Sequence, residues 1–216
     1  MKLYQHPISP NTRRVRLVLC ALGISHEEIL VDLFKGENRQ PEYLAKNPMG
    51  KVPMLEDEGL FLTESYAIIG YLAEKKPSSL YPSEPRARAD VNRWLFWGAN
   101  HFSPTIGALA RENFLKKVVP SFGAPDPVQI ARQEAEFRAL AKVLDAHLAA
   151  GASPRKWIVG HDVTLADFAL AAGFSMRERA KLPVEGTPHL EAWFARIAEL
   201  DVWKATEPPP IPMPQG

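Results

Sequence analysis

Cysteine is almost absent from this sequence, because Cys20 is the single cysteine among 216 residues. One thiol cannot form an internal disulfide, and this scarcity is typical of proteins from a reducing compartment. It also excludes a Cys-x-x-Cys redox pair and a zinc site built from several cysteines. Since Cys20 falls well inside a predicted helix, we expect it to be a packed small apolar residue.

An excess of charge of either sign is also missing. The sequence has 26 lysines and arginines against 25 aspartates and glutamates, a formal net charge of +1. This balance argues against broad nucleic-acid binding, which needs a dense basic face, but it permits a local pocket for a small anion. The histidines, including His26, His147 and His189, lack the spacing of metal ligands, so no metal is expected.

Long apolar runs are missing as well. The N-terminus lacks the apolar stretch of a signal peptide, and the run from Leu17 to Ile24 is far too short to span a membrane. We therefore expect a cytoplasmic protein without a membrane segment. With 46% hydrophobic and 24% charged residues, the composition is that of a globular protein and excludes a disordered or collagen-like chain.

The pattern that is present changes character after about residue 76. Before that point it predicts the order βαβ-α-ββα, with strands over 2–4, 27–33, 52–55 and 60–63 and helices from residue 10, around 42–46 and over 64–74. A polar, proline-rich stretch from Lys75 to Pro85 then indicates an interdomain linker. These signals divide the chain into domains over 1–77 and 86–216.

The second domain is predicted to be all-helical, because strand signals vanish after the linker. One long helical pattern covers 87–116, with Pro104 as the expected kink. Further helices should begin at Asp126-Pro127, at the capping box from Thr164 to Asp167, and at Thr187-Pro188. The proline-rich end of the chain, over 207–214, cannot continue a helix and is expected to lie extended on the surface.

Three short motifs lie where predicted strands and helices meet. Ser9 precedes Pro10 at a helix start, where unpaired N–H groups favour an anion. A cis bond at Val52-Pro53 would leave the backbone of Val52 free to pair with an extended peptide ligand. Glu64 and Ser65 begin another helix and suit the ammonium and carboxylate of an amino-acid head group. Each motif alone fits a helix cap or an ordinary strand start, but together they favour a ligand site.

The sequence resembles the cytosolic glutathione S-transferases over essentially the whole chain, in particular the serine-type, theta-like and bacterial members. The resemblance rests on KVPML at 51–55, TESYAI at 63–68, GHDVTLADF at 160–168 and VDLFKGENRQPEYLAKNP at 31–48. It implies an α/β thioredoxin-like N-terminal domain and an all-α C-terminal domain. It also implies reduced glutathione as cosubstrate without a further cofactor, a homodimer and a role in detoxification.

The resemblance assigns roles to individual residues. Ser9 matches the hydroxyl that activates the thiol in serine-type members, with Asn11 as a reserve candidate. Tyr4 is expected in the core rather than at the site, and no cysteine lies near Ser9, which disfavours a thiol-transferase. Glutathione would be held by the backbone of Val52 beside the cis-proline Pro53, by Glu64 and Ser65 at its γ-glutamyl head, and by Lys51 with Asn38 or Arg39 at its glycyl carboxylate.

A hydrophobic electrophile is expected between the domains, against the first loop and the long helix. The candidate residues are Trp97, His101, Phe102, Arg111 and Phe114, although any single aromatic residue among them could serve only helix packing. The expected reaction is conjugation of glutathione to small electrophiles through a serine-stabilised thiolate. Glutathione-dependent isomerisation, peroxide reduction, or binding without turnover remain open alternatives from the sequence.

Overall fold

The first half of the chain forms four short strands and three helices in the predicted order. The computed structural model describes residues 1–150, 153 and 155–209. A 3₁₀ turn at Glu37–Arg39 precedes the second helix. The elements are β1 (Lys2–Gln5), α1 (Pro10–Leu22), β2 (Glu27–Leu30), α2 (Pro41–Leu44), β3 (Met54–Asp57), β4 (Leu60–Leu62) and α3 (Ser65–Lys75).

The four strands form one mixed sheet with the order β2-β1-β3-β4. β1 runs parallel to β2 and antiparallel to β3, with Leu3 opposite Leu55. Because side chains alternate across a strand, Leu55 joins the large core cluster while Met54 joins a smaller one with Val52 and Tyr43. The sheet thus has an apolar cluster on each face, and the thioredoxin-like expectation is confirmed.

Two strands, β2 and β3, differ from the predicted bounds by two or more residues. β2 ends at Leu30, because the Asp32 carboxylate accepts the N–H groups of Phe34 and Lys35 at 3.0 and 3.1 Å and turns the chain. β3 begins after Pro53 and continues to Asp57. The hairpin turn is therefore only Glu58-Gly59, whose positive φ angles of 50° and 86° match the twist of the flanking strands.

The second half is helical, as predicted, and no strand follows β4 among the described residues. The starts at Pro127 and Pro188 and the capping box of Thr164 and Asp167 are confirmed. Residues 210–216, which include most of the proline-rich end, lie outside the described residues. The helices are α4 (Pro85–Trp97), α5 (Ser103–Ala110), α6 (Lys116–Val118), α7 (Pro127–Ala149), α8 (Leu165–Phe174), α9 (Arg177–Ala180), α10 (Pro188–Ala198) and α11 (Asp201–Ala205).

The predicted long helix is a run of helical segments from Pro85 to Val118. Wide π turns at Gly98–Phe102 and Arg111–Leu115 join α4 to α5 and α5 to α6. Pro104 cannot donate a backbone hydrogen bond, and the first wide turn lies directly before it. A side chain at Gly98 would come within 2.7 Å of the Tyr66 hydroxyl, so glycine is needed where this helix meets the first half.

Helix α1 ties the two halves together, since it packs against both α3 and α8. One core cluster extends from Leu3 to Trp203. The prediction that Cys20 is packed is wrong, because its side chain is exposed. Cys20 lies on the outer stripe of α1, one turn after the partly exposed Arg16, whereas its neighbour Leu19 points into the core.

Candidate functional site

Ser9 occupies the N-cap of α1, at the end of the loop that follows β1. Its Oγ accepts the N–H of Thr12 at 3.3 Å, and Pro10 begins the helix. Among the described residues this accepted bond is the only one made by the hydroxyl, so its proton can be donated to a ligand. The helix N-terminus adds partial positive charge at the same point. The arrangement stabilises an anion placed beside Ser9.

His6 holds the loop before Ser9 through two hydrogen bonds. Its backbone carbonyl accepts the N–H of Ser9 at 3.0 Å, and its Nδ1 accepts the N–H of Ile8 at 3.4 Å. The ring contacts Phe34 edge-on, and the residue is 7% exposed. Burial lowers the pKa of His6, although the charge of Asp32 opposes this shift. The neutral imidazole is therefore the form that holds the Ser9 loop.

The Val52-Pro53 peptide bond is cis, as the motif suggested. Val52 precedes β3 and lies outside the ladder, and its N–H and C=O find no hydrogen-bond partner in the described part of the chain. The carbonyl of Lys51 is fixed by the Tyr43 hydroxyl at 2.6 Å and by Asn47 Nδ2 at 2.7 Å. The backbone of Val52 is thus held rigidly and can pair with an extended ligand.

Glu64 and Ser65 form the start of α3. Glu64 has φ 63° and ψ 106°, a left-handed backbone that is strained for a residue with a side chain. Its carboxylate is exposed and makes no hydrogen bond to another described residue. Ser65 is buried and accepts a hydrogen bond from Arg14 at 2.7 Å. Strain of this kind occurs at ligand sites, where the backbone must present a group in one direction.

Arg14 is a cavity-lining residue that the motifs did not reveal. Its fully buried guanidinium donates to Asn11 Oδ1 at 2.6 Å, to Ser65 Oγ at 2.7 Å and to Ser103 Oγ at 3.2 Å. A fourth bond reaches the backbone carbonyl of Ala169 at 3.0 Å. Burial lowers the pKa of Arg14. The sequence did carry one signal for it, since a charged residue stands three positions before Leu17 on the buried side of α1.

Ser9, Arg14, Glu64 and Ser65 line a cavity of about 560 Å³ between the two halves. Its polar side carries most of the predicted polar residues, and its apolar side comes from α5, the turn after it, and the end of α8. The polar lining residues include Ser9, Asn11, Arg14, Lys51, Glu64 and Ser65, and the apolar wall consists mainly of Ile106, Gly107, Ala110, Phe114, Leu115 and Met176.

Four of the predicted glutathione-site residues do not line this cavity, namely Asn38, Arg39, Val52 and Pro53. Asn38 donates its side-chain amide to the Gly50 carbonyl at 2.7 Å, which holds the loop before Lys51. Arg39 is exposed and follows directly in the chain. Pro53 is buried. Lys51 is exposed and lines the cavity, so it is the cation that the site offers to a carboxylate.

Only Phe114 among the five predicted electrophile residues lines this cavity. Phe102 is fully buried and stacks on Trp97 and Phe137, with ring centres 5.2 and 5.6 Å apart. His101 is exposed, and Arg111 lies over the ring of Phe122. The two wide turns shift the helical register, so that Ile106, Ala110 and Phe114 face the cavity instead. The prediction for Trp97, His101, Phe102 and Arg111 is corrected accordingly.

Tyr4 lies outside the cavity, as expected. Its hydroxyl donates to the Glu56 carboxylate at 2.7 Å, and its ring meets Tyr43 edge-on. Within residues 1–150, 153 and 155–209, no group of three His, Cys, Asp or Glu side chains is arranged to hold a metal ion. In the same part of the chain, no helix is both long and apolar enough to cross a membrane.

Both halves of the chain match models of known domains. Residues 1–74 match the glutathione S-transferase N-terminal domain, and residues 111–201 match the glutathione S-transferase C-terminal domain. The chain is 34% identical to glutathione S-transferase 3 of Zea mays over 220 residues, which cover 99% of this chain and 96% of that protein.

Solved structures are similar over the same length. Glutathione transferase F7 from Populus trichocarpa superposes with a TM-score of 0.84 at 29% identity, covering 95% of this chain and 96% of that one. The apo form of glutathione S-transferase III superposes with a TM-score of 0.82 at 32% identity, covering 98% of both chains.

Proposed function

The chain belongs to the glutathione S-transferase family and is a glutathione transferase, and we propose that Ser9 activates the thiol of glutathione. The observation that carries the proposal is the hydroxyl of Ser9 at the N-terminus of α1, accepting one backbone bond and free to donate its proton. A thiolate placed there would accept this hydrogen bond and meet the positive end of the helix. Ser9 acts as a donor and not as a nucleophile.

The hydrogen bond from Ser9 and the helix N-terminus can stabilise the thiolate enough without a general base. A free thiol of this type has a pKa near 8.5, and lowering it by two units requires about 2.7 kcal/mol of preferential thiolate stabilisation. A hydrogen bond to a charged group contributes about 1.5–3 kcal/mol, and a helix N-terminus adds about 0.3–1 kcal/mol. Ser9 and the start of α1 together reach the required range.

We assign the γ-glutamyl end of glutathione to the start of α3. The exposed carboxylate of Glu64 pairs with the ammonium group, and the Ser65 hydroxyl with the N–H groups at the helix start holds the carboxylate. Arg14 donates to Ser65 Oγ, which leaves the Ser65 proton free for the ligand. The strained backbone of Glu64 supports this assignment, because it lies at the N-terminus of α3, where Glu64 and Ser65 both line the cavity.

The rest of the tripeptide fits an extended conformation along the loop before β3. The backbone of Val52 pairs with the cysteinyl residue in the manner of a strand, which brings the sulfur towards Ser9. The glycyl carboxylate then meets Lys51, with Asn38 holding the loop and Arg39 near it. Asn11 is a second donor near the thiol, but its Oδ1 is already engaged by Arg14 at 2.6 Å. We therefore prefer Ser9 as the group that stabilises the thiolate.

The electrophile occupies the apolar wall of the cavity. Ile106 and Phe114 would contact its apolar body, while the thiolate attacks from the side of Ser9. With an activated aryl chloride the thiolate adds to the ring carbon that bears chlorine and forms the sulfur–carbon bond, and chloride then leaves as the carbon–chlorine bond breaks. The thiol proton passes to solvent before this step. We place this reaction in the cytoplasm, in keeping with a chain whose one thiol, Cys20, is free.

Turnover of a generic aryl halide, measured beside glutathione binding by calorimetry, tests this function. We expect the protein to bind glutathione and to conjugate it, and Ser9→Ala to lose most turnover near neutral pH while it keeps most of the glutathione affinity. Binding without any turnover in the unmodified protein would contradict the proposal. Unchanged turnover in Ser9→Ala would contradict the role of Ser9 alone.

We also propose that the protein is a homodimer. Large apolar side chains are exposed on both halves, among them Phe34 and Met49 on the first and Phe96 on α4 of the second, which is 68% exposed. Pairing the first half of one copy with the helical half of the other would cover such residues. Light scattering at micromolar concentration should give twice the chain mass, and a monomer would refute the proposal.

A further inference from the structure

The cleft at Ser9 has a second part that differs from the apolar cavity. It is a cavity of about 590 Å³, bounded by the first loop, Arg13, the short helix α9 and the segment from Glu207 to Pro209. Both cavities share Ile8, Ser9, Pro10 and Met176 among their lining residues. The two volumes therefore meet at Ser9, and a molecule that reacts there can extend into both.

The second cavity is lined by charged side chains, and most of them already have partners. Arg13 donates to the Trp203 carbonyl at 3.0 Å and lies 3.7 Å over the Trp203 ring. Burial lowers the pKa of Arg13 to about 10, and the nearby charge of Glu207 opposes this effect. Glu178 accepts a hydrogen bond from Arg177 at 3.1 Å. Glu178 is thus paired with Arg177, and Glu207 lies near enough to Arg13 for its charge to act on it.

Arg179 differs from these residues. No carboxylate oxygen of the described residues lies within 4.0 Å of its guanidinium nitrogens, and it is only partly exposed. Its guanidinium carbon lies 5.5 Å from the centre of the Phe114 ring, and Phe114 belongs to the apolar cavity. Arg179 therefore places an unpaired cation where the charged and the apolar parts of the cleft meet.

We propose that Arg179 makes this enzyme prefer electrophiles that carry an anionic group, such as a carboxylate, on an apolar body. This inference rests on the proposed conjugation at Ser9 and names its substrate class. The apolar body contacts Ile106 and Phe114, and the carboxylate receives two parallel hydrogen bonds from the planar guanidinium. The reacting carbon lies between these two contacts, beside the thiolate.

A matched pair of substrates tests the preference. Chlorodinitrobenzoate and chlorodinitrobenzamide have similar size, and the first carries the carboxylate. We compare kcat/KM for both, each divided by its uncatalysed rate constant with glutathione, in the unmodified protein and in Arg179→Gln, Arg179→Lys and the control Arg177→Gln. Arg177 is on the same helix but is paired with Glu178 and packed on Phe194. Thermal unfolding verifies that each variant is folded.

The unmodified protein should favour the benzoate. Arg179→Gln should lower its kcat/KM by about tenfold, equivalent to about 1.4 kcal/mol, while the value for the amide changes less than twofold. Arg179→Lys should retain part of the preference, and Arg177→Gln should leave it unchanged. An equal loss for both substrates, or a preference that survives Arg179→Gln, overturns this inference alone. Absence of turnover with either substrate despite glutathione binding would instead refute the proposed function.

Discussion

At the scale of single residues, the exposed polar groups of the site are positioned by polar groups that are buried and hydrogen-bonded. Arg14 is the clearest case, because one guanidinium connects Asn11 and Ser65 in the first half to Ser103 and the Ala169 carbonyl in the second. Removing such a group leaves several acceptors without a donor, which costs more than the loss of one exposed contact. The proposed glutathione site and the contact between the halves therefore share Arg14.

We predict that Arg14→Met lowers both glutathione affinity and stability. The free energy of unfolding should fall by about 1–3 kcal/mol, because buried acceptors lose their donor, and calorimetry should show weaker glutathione binding. Arg16→Gln is the matched control, since Arg16 is on the same helix but pairs with Glu28 near the surface at 2.8 Å. Equal affinity in Arg14→Met and the unmodified protein would disprove the role of Arg14 in positioning Ser65.

His6 should make the stability of the fold sensitive to mild acid. Burial lowers the pKa of His6 in the folded state below its ordinary value of 6.5, so the unfolded chain binds a proton first as the pH falls. The contribution of neutral His6 to the free energy of unfolding is fully present above the ordinary pKa of 6.5. It is lost as the pH falls from 6.5 through the lower pKa of the folded state. Urea unfolding between neutral and acidic pH should show this slope, and His6→Gln should reduce it. An unchanged slope would contradict the assignment.

At the scale of elements, hydrogen bonds join the β3–β4 hairpin to α3, the helix that begins at Ser65. The Asp57 carboxylate at the end of β3 accepts hydrogen bonds from Lys75 and from the Tyr71 hydroxyl of α3, the latter at 2.7 Å. The hydrogen bonds from Lys75 and Tyr71 lower the pKa of Asp57. The strand continues to Asp57 because Glu56 and Asp57 pair with Phe61 and Leu60 of β4, although the acidic stretch before Gly59 favours an earlier turn.

Asp57→Asn should destabilise the protein by about 1–2 kcal/mol at neutral pH, a modest value because Lys75 is partly exposed. Since the folded pKa of Asp57 is depressed, its contribution is present above the ordinary value of 3.8 and is lost as the pH falls through the folded value. Chemical unfolding at neutral and acidic pH measures both effects. Glu58→Gln is the control, because the Glu58 carboxylate is exposed. A larger loss in the control would contradict this account.

At the scale of the whole molecule, the order of elements and the polar half of the site could be predicted from the sequence. Ser9, Lys51, Glu64 and Ser65 stand at junctions with local signals, and the structure brings all four to one cavity. Helix caps and turns are formed by residues a few positions apart in the chain, so the sequence can predict them without knowledge of tertiary contacts.

The remaining features depend on contacts between distant residues. Arg14 bonds to groups up to 155 positions away, which no local pattern reports. The sequence pattern predicts the wrong residues for most of the apolar wall, because two wide turns change the register of the long helix. Phe102 therefore faces the core, and Ile106 faces the cavity. Cys20 was misplaced for a simpler reason, since one residue along α1 separates the buried face from the exposed one.

The pKa of the bound glutathione thiol tests the central claim most directly. It is measured from the ultraviolet absorbance of the thiolate as a function of pH, in the unmodified protein and in Ser9→Ala, Asn11→Ala and the control Cys20→Ala. We predict that Ser9→Ala raises this pKa towards the free value near 8.5, while the variant keeps much of its glutathione affinity. The variant should lose about 1 kcal/mol of stability, because Ser9 caps a helix. Its turnover should recover in part at higher pH. Cys20→Ala should leave the pKa unchanged. A bound-thiol pKa that stays the same in Ser9→Ala but rises in Asn11→Ala would contradict the account and identify Asn11 as the donor.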